Sequence, residues 1–335
     1  MYNIFAPISF KALKLSFNFL TMRLYNNFAF LIVILTTLTI LSGCKKDEDD
    51  PEIEFPDEVT IMFENLKPEG IEYNKNKNVF LVGSLTMGDV YEIDFEGNYT
   101  NFTNDDNLLS SAGIHIDYDG DRLLVTSIDP GAFGGGKSVG GLNIYKLSTG
   151  EKISTVSFLE LLPEAMFFTP NDITVDASGN IYVTDFLGNV IYKVNQNYEA
   201  SVFSNSDKLD GPNGIDFHPD GYLLISNLFG NQIIKMPIDM PEDINIVTIT
   251  DPLFGGLDGM VYKADGNIVG VTTFETLVEI SSTDNWETAI IENSKALSSP
   301  GTTVAVTPEG FNYALLTDVA SQDVFNEWVI ERIAF

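Results

Sequence analysis

The chain has 335 residues, 44% of them hydrophobic and 12% aromatic, which is ample for a large core. Its 18 basic and 48 acidic residues give a formal net charge of −30; such a surface repels phosphate backbones and argues against a nucleic-acid partner. The single cysteine, Cys44, excludes an intrachain disulfide.

No Asp or Glu precedes Cys44, and Lys11, Lys14 and Arg23 are the only basic residues there, leaving 15 basic against 48 acidic residues after it. Phe28 to Leu41 is an apolar run of 14 residues. That is short for a bilayer of about 30 Å and suits the hydrophobic region of a signal peptide. The run ends in Leu41-Ser42-Gly43-Cys44, which resembles the lipobox of bacterial lipoproteins. The resemblance implies a signal peptide over 1–43, cut before a lipidated Cys44. Met1 and Met22 are both open as the start of translation, the second leaving a short basic region at Arg23. Residues 44–57, beginning Cys44-Lys45-Lys46-Asp47-Glu48-Asp49-Asp50, read as a charged tether with nothing to bury. Lys45 stands where an inner-membrane retention signal would carry Asp. The expected location is therefore the bacterial outer membrane, reached through the lipid anchor alone, with the cell exterior and the periplasm both open.

From residue 58 the sequence repeats. Val82-Gly83-Ser84 to Ile93, Val183-Thr184-Asp185 to Val194 and Ile225-Ser226-Asn227 to Met236 align as strand, Gly-Asn or Gly-Asp turn, strand. A second element, Gly-Ile or a relative followed by a short strand and an acidic-Gly turn, begins at Gly70, Gly113, Asp172, Gly214, Gly259 and, in degenerate form, Thr303. Successive spacings are 43, 59, 42, 45 and 44 residues, and four strands need about 40–45 residues per blade. The spacing predicts an all-β, six-bladed β-propeller over 58–335, with Val59–Phe63 closing the last blade beside Trp328–Ile333. Only Ser157–Met166 reads as a short helix. A monomer is expected.

The innermost strand of each blade begins near the central channel, so the residues just before these strands converge. They include Glu69, Asn171, Asn213 and Asp258. Two carboxylates and two amide oxygens suit a hard divalent cation, Ca²⁺ first and other divalent ions as alternatives. Thr169 and Phe229 join Asn171 as candidate substrate contacts, and Phe133, Phe167, Phe168, Leu187 and Phe274 fall in or near the same loops.

Pro68-Glu69-Gly70, Pro170-Asn171-Asp172, Pro212-Asn213-Gly214 and Leu257-Asp258-Gly259 occur in the order found in the senescence-marker-protein/gluconolactonase (regucalcin-like) family. That family is related to paraoxonase-type lactonases, and the chain resembles it from about Glu64 to Asp318. The resemblance implies a divalent metal held by Glu69, Asn213 and Asp258, with Asn171 a ligand or a substrate contact. It also implies that Asp258 doubles as the catalytic base of a calcium-dependent hydrolase acting on a lactone or related cyclic ester. Two positions depart from the pattern. Thr169 stands where gluconolactonase-like members carry Arg, and Ala112 where paraoxonase-like members carry His. The departures keep a second reading open, a non-catalytic surface propeller that binds a glycan, peptide or partner protein.

Two further features carry no chemistry in this reading. Gly131 to Ser138 spells a Walker-like string, but the strand-like Leu142–Leu147 follows where a phosphate-binding loop would open a helix, so no nucleotide is expected. His115 and His218 are the only histidines; one is expected within a strand and the other at a turn, so neither a Ser-His-Asp triad nor a histidine-rich zinc site can be assembled.

Overall fold

The computed structural model describes residues 53–128, 140–165, 168–251, 253–321 and 323–335. Cys44 with its signal, the tether as far as residue 52 and the whole Walker-like string lie outside the described residues, as do Phe133 and Phe167. The tether's last residues are not free of the propeller, since Phe55 is buried in its core.

Strand β1, Glu58–Met62, comes first but belongs to the last blade. Blade 1 holds β2 Ile71–Asn74, β3 Val79–Val82, β4 Tyr91–Ile93 and β5 Tyr99–Asn101. Blade 2 holds β6 Ile114–Asp117, β7 Arg122–Ser127, β8 Gly141–Lys146 and β9 Lys152–Ser157. In blade 3 follow β10 Pro170–Val175, β11 Ile181–Asp185, β12 Val190–Val194 and β13 Ala200–Asn205, and in blade 4 β14 Pro212–His218, β15 Tyr222–Asn227, β16 Gln232–Pro237 and β17 Asn245–Ile246. Blade 5 gains a fifth strand. Its β18, Thr248–Ile249, pairs in parallel with β22, Thr288–Ala296, outside β19 Leu257–Tyr262, β20 Ile268–Thr272 and β21 Thr276–Ser281. Blade 6 joins β23 Gly301–Val306, β24 Asn312–Leu316 and β25 Glu327–Ile333 to β1. The described residues thus form a six-bladed β-propeller.

Closure follows from sequence ends that complete each other. β1 pairs antiparallel with β25, Val59 opposite Ile330 and Ile61 opposite Trp328. Trp328 Nε1 donates to the Phe63 carbonyl at 2.9 Å, and Arg332 reaches the Phe55 carbonyl at 2.9 Å. The innermost strands pack in a ring, β2 on β6, β6 on β10, β10 on β14, β14 on β19, β19 on β23 and β23 back on β2.

Six apolar clusters lie between adjacent blades. Leu124 and Ile144 of blade 2 meet Val183 and Tyr192 of blade 3, for example, and Tyr182 and Ile191 of blade 3 meet Ile215 and Ile234 of blade 4. A middle strand therefore faces apolar neighbours on both sides, which is why β11 is buried along its whole length. Each fully buried aliphatic side chain contributes about 1.5–3 kcal/mol.

The expected helix over Ser157–Met166 is not formed in its described part, residues 157–165. Ser157 ends β9, and the following residues make two isolated turns, Leu161 N–H to the Phe158 carbonyl and Ala165 N–H to the Leu162 carbonyl. Pro163 disfavours helical geometry at Leu162 and brings no N–H of its own. Among the described residues no helix is long and apolar enough to cross a membrane.

Candidate functional site

The site is built from the first residues of the inner strands. In β10, β14 and β19 the pairing register shifts between Pro170 and Ile173, Pro212 and Ile215, and Leu257 and Met260. Each shift leaves a β-bulge, and Asn171, Asn213 and Asp258 are the first residues on the three bulges. A bulge re-aims a side chain out of the regular ladder. Glycine beside these residues lets the blades close up: a Cβ on Gly113 would stand 2.1 Å from the Asn171 carbonyl oxygen, and one on Gly70 2.4 Å from that of Ala112.

Hydroxyl groups from neighbouring blades fix these backbones. Thr126 Oγ1 donates to the Asn171 carbonyl at 2.7 Å, Thr184 Oγ1 to that of Asn213 at 2.8 Å, and Thr302 Oγ1 to that of Glu69 at 2.9 Å. Ser226 likewise donates to the carbonyl of Leu257, next to Asp258. Four site segments are therefore each clamped by the preceding blade around the ring. The sequence alignment did not single out these hydroxyls, although Thr184 and Ser226 occupy matching places in the repeats.

Glu69, Asn171, Asn213 and Asp258 are brought together. Asn213 Nδ2 donates to Asp258 Oδ1 at 2.8 Å, and the Asn171 side chain hydrogen-bonds Glu69. Burial, then the charges of Asp258 and Asp172, push the Glu69 carboxyl well above the usual range, against the Asn171 hydrogen bond. Burial raises Asp258 to about 7, against the Asn213 hydrogen bond. Asn213 Oδ1 is buried with no hydrogen-bond partner, an arrangement that costs about 1–3 kcal/mol unless something fills its lone pairs. A cavity of about 20 Å³ lies among Glu69, Asn171, Asp172, Gly113, Gly259 and Thr303, room for one water-sized occupant.

This donor set fits a hard cation. All its candidate donors are oxygens, and positive charge would relieve the crowded carboxyls. Among the described residues no group of three His, Cys, Asp or Glu side chains is disposed to hold a metal; a cation here would need amide oxygens of Asn171 and Asn213 beside the two carboxyls.

A second polar layer, unforeseen from sequence, joins the inner strands. Glu72 Oε1 accepts the Ile116 N–H at 3.3 Å, Asp172 Oδ2 that of Ile215 at 3.0 Å and Asp216 Oδ2 that of Tyr262 at 2.8 Å. Each acid thereby staples its inner strand to the next blade's. Burial raises Asp172 to about 7, offset in part by the N–H groups of Ile173 and Ile215 and by His115. Burial also raises Asp216. His115 Nδ1 lies 3.2 Å from Glu72 Oε1; burial works against its charge, but Glu72 and the charges of Asp216 and Asp172 raise it overall. His218 ends β14, stacks on Tyr222 at 4.2 Å and is lowered by burial.

Thr169 does not join the cluster. It is fully buried, and its Oγ1 donates to Asp185 Oδ1 at 2.7 Å while accepting the Leu187 N–H at 3.0 Å. Those bonds brace the turn that follows β11. Phe229 is 56% exposed and its ring covers Gly211. Phe168 is buried.

No protein-family model and no curated protein sequence matches the chain. Solved structures do. The major Malassezia sympodialis allergen Mala s 1 superposes with a TM-score of 0.70 at 20% identity, covering 83% of this chain and 96% of the allergen. A gluconolactonase from Xanthomonas campestris gives 0.57 at 14% identity, over 82% of this chain and 89% of its own. Virginiamycin B lyase from Staphylococcus aureus gives 0.55 at 12% identity, over 83% and 98%. At these identities the likeness is one of fold.

Proposed function

We propose that the protein is a divalent-cation-dependent hydrolase that opens a lactone or a related cyclic ester, with Ca²⁺ as the cation. The observation that carries this is the pair of crowded carboxyls, the buried Glu69 and the half-buried Asp258, beside the unpartnered Asn213 Oδ1. Glu69, Asn171, Asn213 and Asp258 would hold the ion, which when bound supplies Lewis-acid polarisation of the ester carbonyl. Asp258, a carboxylate beside the ion, would take a proton from an attacking water. Asn213 Nδ2, bonded to Asp258 Oδ1, orients that carboxylate. Water adds its oxygen to the carbonyl carbon and the ring C–O bond breaks. The proton taken by Asp258 passes to the departing alkoxide, so the product is one hydroxy acid. The gluconolactonase neighbour supports this reading by its fold.

Asp258→Asn should abolish turnover of a lactone panel, and Glu69→Gln should weaken calcium binding, read by titration calorimetry, at least about tenfold. Wild-type turnover in Asp258→Asn, or unchanged calcium affinity in Glu69→Gln, would sink the proposal. The rival is a binding propeller without catalysis. It is favoured by Ala112, which offers no titratable side chain, and by Thr169, whose hydroxyl is committed to Asp185. EDTA-sensitive lactone hydrolysis by the wild type excludes that rival; its absence across the panel supports it.

A further inference from the structure

Blades 3, 4 and 5 each repeat one arrangement beside the site. The Phe186 N–H bonds the Thr169 carbonyl at 3.3 Å, the Leu228 N–H that of Gly211 at 2.8 Å, and the Thr273 N–H that of Gly256 at 3.0 Å. Each acceptor lies two residues before a site residue, Asn171, Asn213 or Asp258. Each donor is followed by a large apolar residue, Leu187, Phe229 or Phe274. Three turns thus fasten three apolar side chains to the segments that carry the site.

These side chains are exposed where the fold does not require it, Leu187 by 39% and Phe229 and Phe274 by 56% each. Phe254 extends the surface, 76% exposed and 4.6 Å from Phe274 between ring centroids. The turns are braced: Gly188 N–H bonds Asp185 Oδ1 at 3.1 Å, and Gly230 N–H bonds Asn227 Oδ1 at 2.6 Å. Neither the turns at 185–189, 227–231 and 272–276 nor the entering segments at 168–172, 210–214 and 254–258 contain a Lys or Arg. These segments therefore supply no counter-ion to an anionic substituent, and the chain's net charge of −30 would repel it. Water-exposed rings held on braced turns gain most by covering an apolar group.

We infer that Leu187, Phe229 and Phe274 form an apolar subsite, and that the substrate is a neutral cyclic ester carrying an alkyl or aryl substituent rather than a polyhydroxylated sugar lactone. The inference rests on the hydrolase reading for its chemistry but on these turns for its specificity.

The test uses the propeller with Ca²⁺, a five-membered lactone bearing a methyl or an octyl chain, and the corresponding lactams, which bind without being opened. The octyl lactone should exceed both the methyl lactone and a sugar lactone in kcat/KM by at least about tenfold, and the octyl lactam should bind more tightly than the methyl lactam by a similar factor. The double variant Phe229→Ser/Phe274→Ser should lose most of both preferences while melting within a few degrees of wild type. No chain-length preference in lactone or lactam, its retention in the double variant, or faster opening of the sugar lactone would overturn the inference and leave the hydrolase reading standing. No hydrolysis of any lactone, with the octyl lactam still preferred and that preference lost in the variant, would overturn the hydrolase reading and leave the subsite standing.

Discussion

Thr184 illustrates how much of the site depends on residues that never enter it. Its hydroxyl donates to the Asn213 carbonyl at 2.8 Å and accepts the Asp172 N–H at 3.0 Å. Thr184→Val keeps the shape and removes both bonds, leaving two buried backbone groups without these partners. We expect a loss of about 1–3 kcal/mol in urea unfolding. We also expect calcium affinity to fall by about tenfold, because the Asn213 bulge loses its anchor. Thr184→Ser, which restores the hydroxyl, should recover both. Calorimetry giving wild-type calcium affinity for the valine variant would show that the clamp does not position Asn213. Such clamps are hard to see in a sequence, because the partner lies in the next blade, 29 residues away for Thr184 and 233 for Thr302.

At the scale of the strand, the inner layer of acids makes stability depend on pH. Asp216 on β14 faces Thr174 on β10, the backbone N–H of Tyr262 on β19, His115 on β6 and Asp172. Its carboxyl is raised above the ordinary Asp value, so the folded state holds a proton that the unfolded chain gives up earlier. The linked stability is present at acid pH and is lost as pH rises from the unfolded value through the folded one. Asp172 and Asp258, each raised to about 7, act in the same direction. His115 is raised too, so its contribution is full below its unfolded value near 6.5 and fades as pH rises through the folded one. In EDTA, the melting temperature should therefore fall between about pH 4 and pH 8, by about 2–4 °C for each kcal/mol lost. Asp216→Asn should flatten that slope, and an unchanged slope would exclude Asp216 as a source. Much at this scale was legible beforehand. The three matching hairpins and the blade-start tripeptides gave the strands, and they picked out Glu69, Asn171, Asn213 and Asp258 as neighbours. The Ser157–Met166 helix failed because apolar content outweighed Pro163, and the staples through Glu72, Asp172 and Asp216 escaped notice because each links backbones about 45 residues apart.

For the whole molecule the decisive element is β1, the strand that joins the two ends of the ring. Without β1, blade 6 would be a three-stranded sheet whose outer strand, β25, exposes the pairing edge that now bonds Glu58–Met62. Val59 and Ile61 are 1% and 0% exposed, in one cluster with Ile71, Phe80, Tyr313, Trp328 and Ile330. Removing them uncovers residues of blades 6 and 1 together. Two such side chains contribute about 3–6 kcal/mol, a large share of the 5–15 kcal/mol that holds a typical protein folded. The ring also aligns the site, since Thr302 of blade 6 fixes the Glu69 carbonyl of blade 1. A chain beginning at residue 64 should therefore melt far below one beginning at residue 53 and bind calcium more weakly, whereas Ile61→Ala should cost only about 2–5 kcal/mol. Adding a peptide of residues 55–63 in trans should restore part of the melting temperature, because the edge of β25 remains a template for it. Equal melting temperatures for the two chains would mean that the propeller is held shut by its inner ring alone.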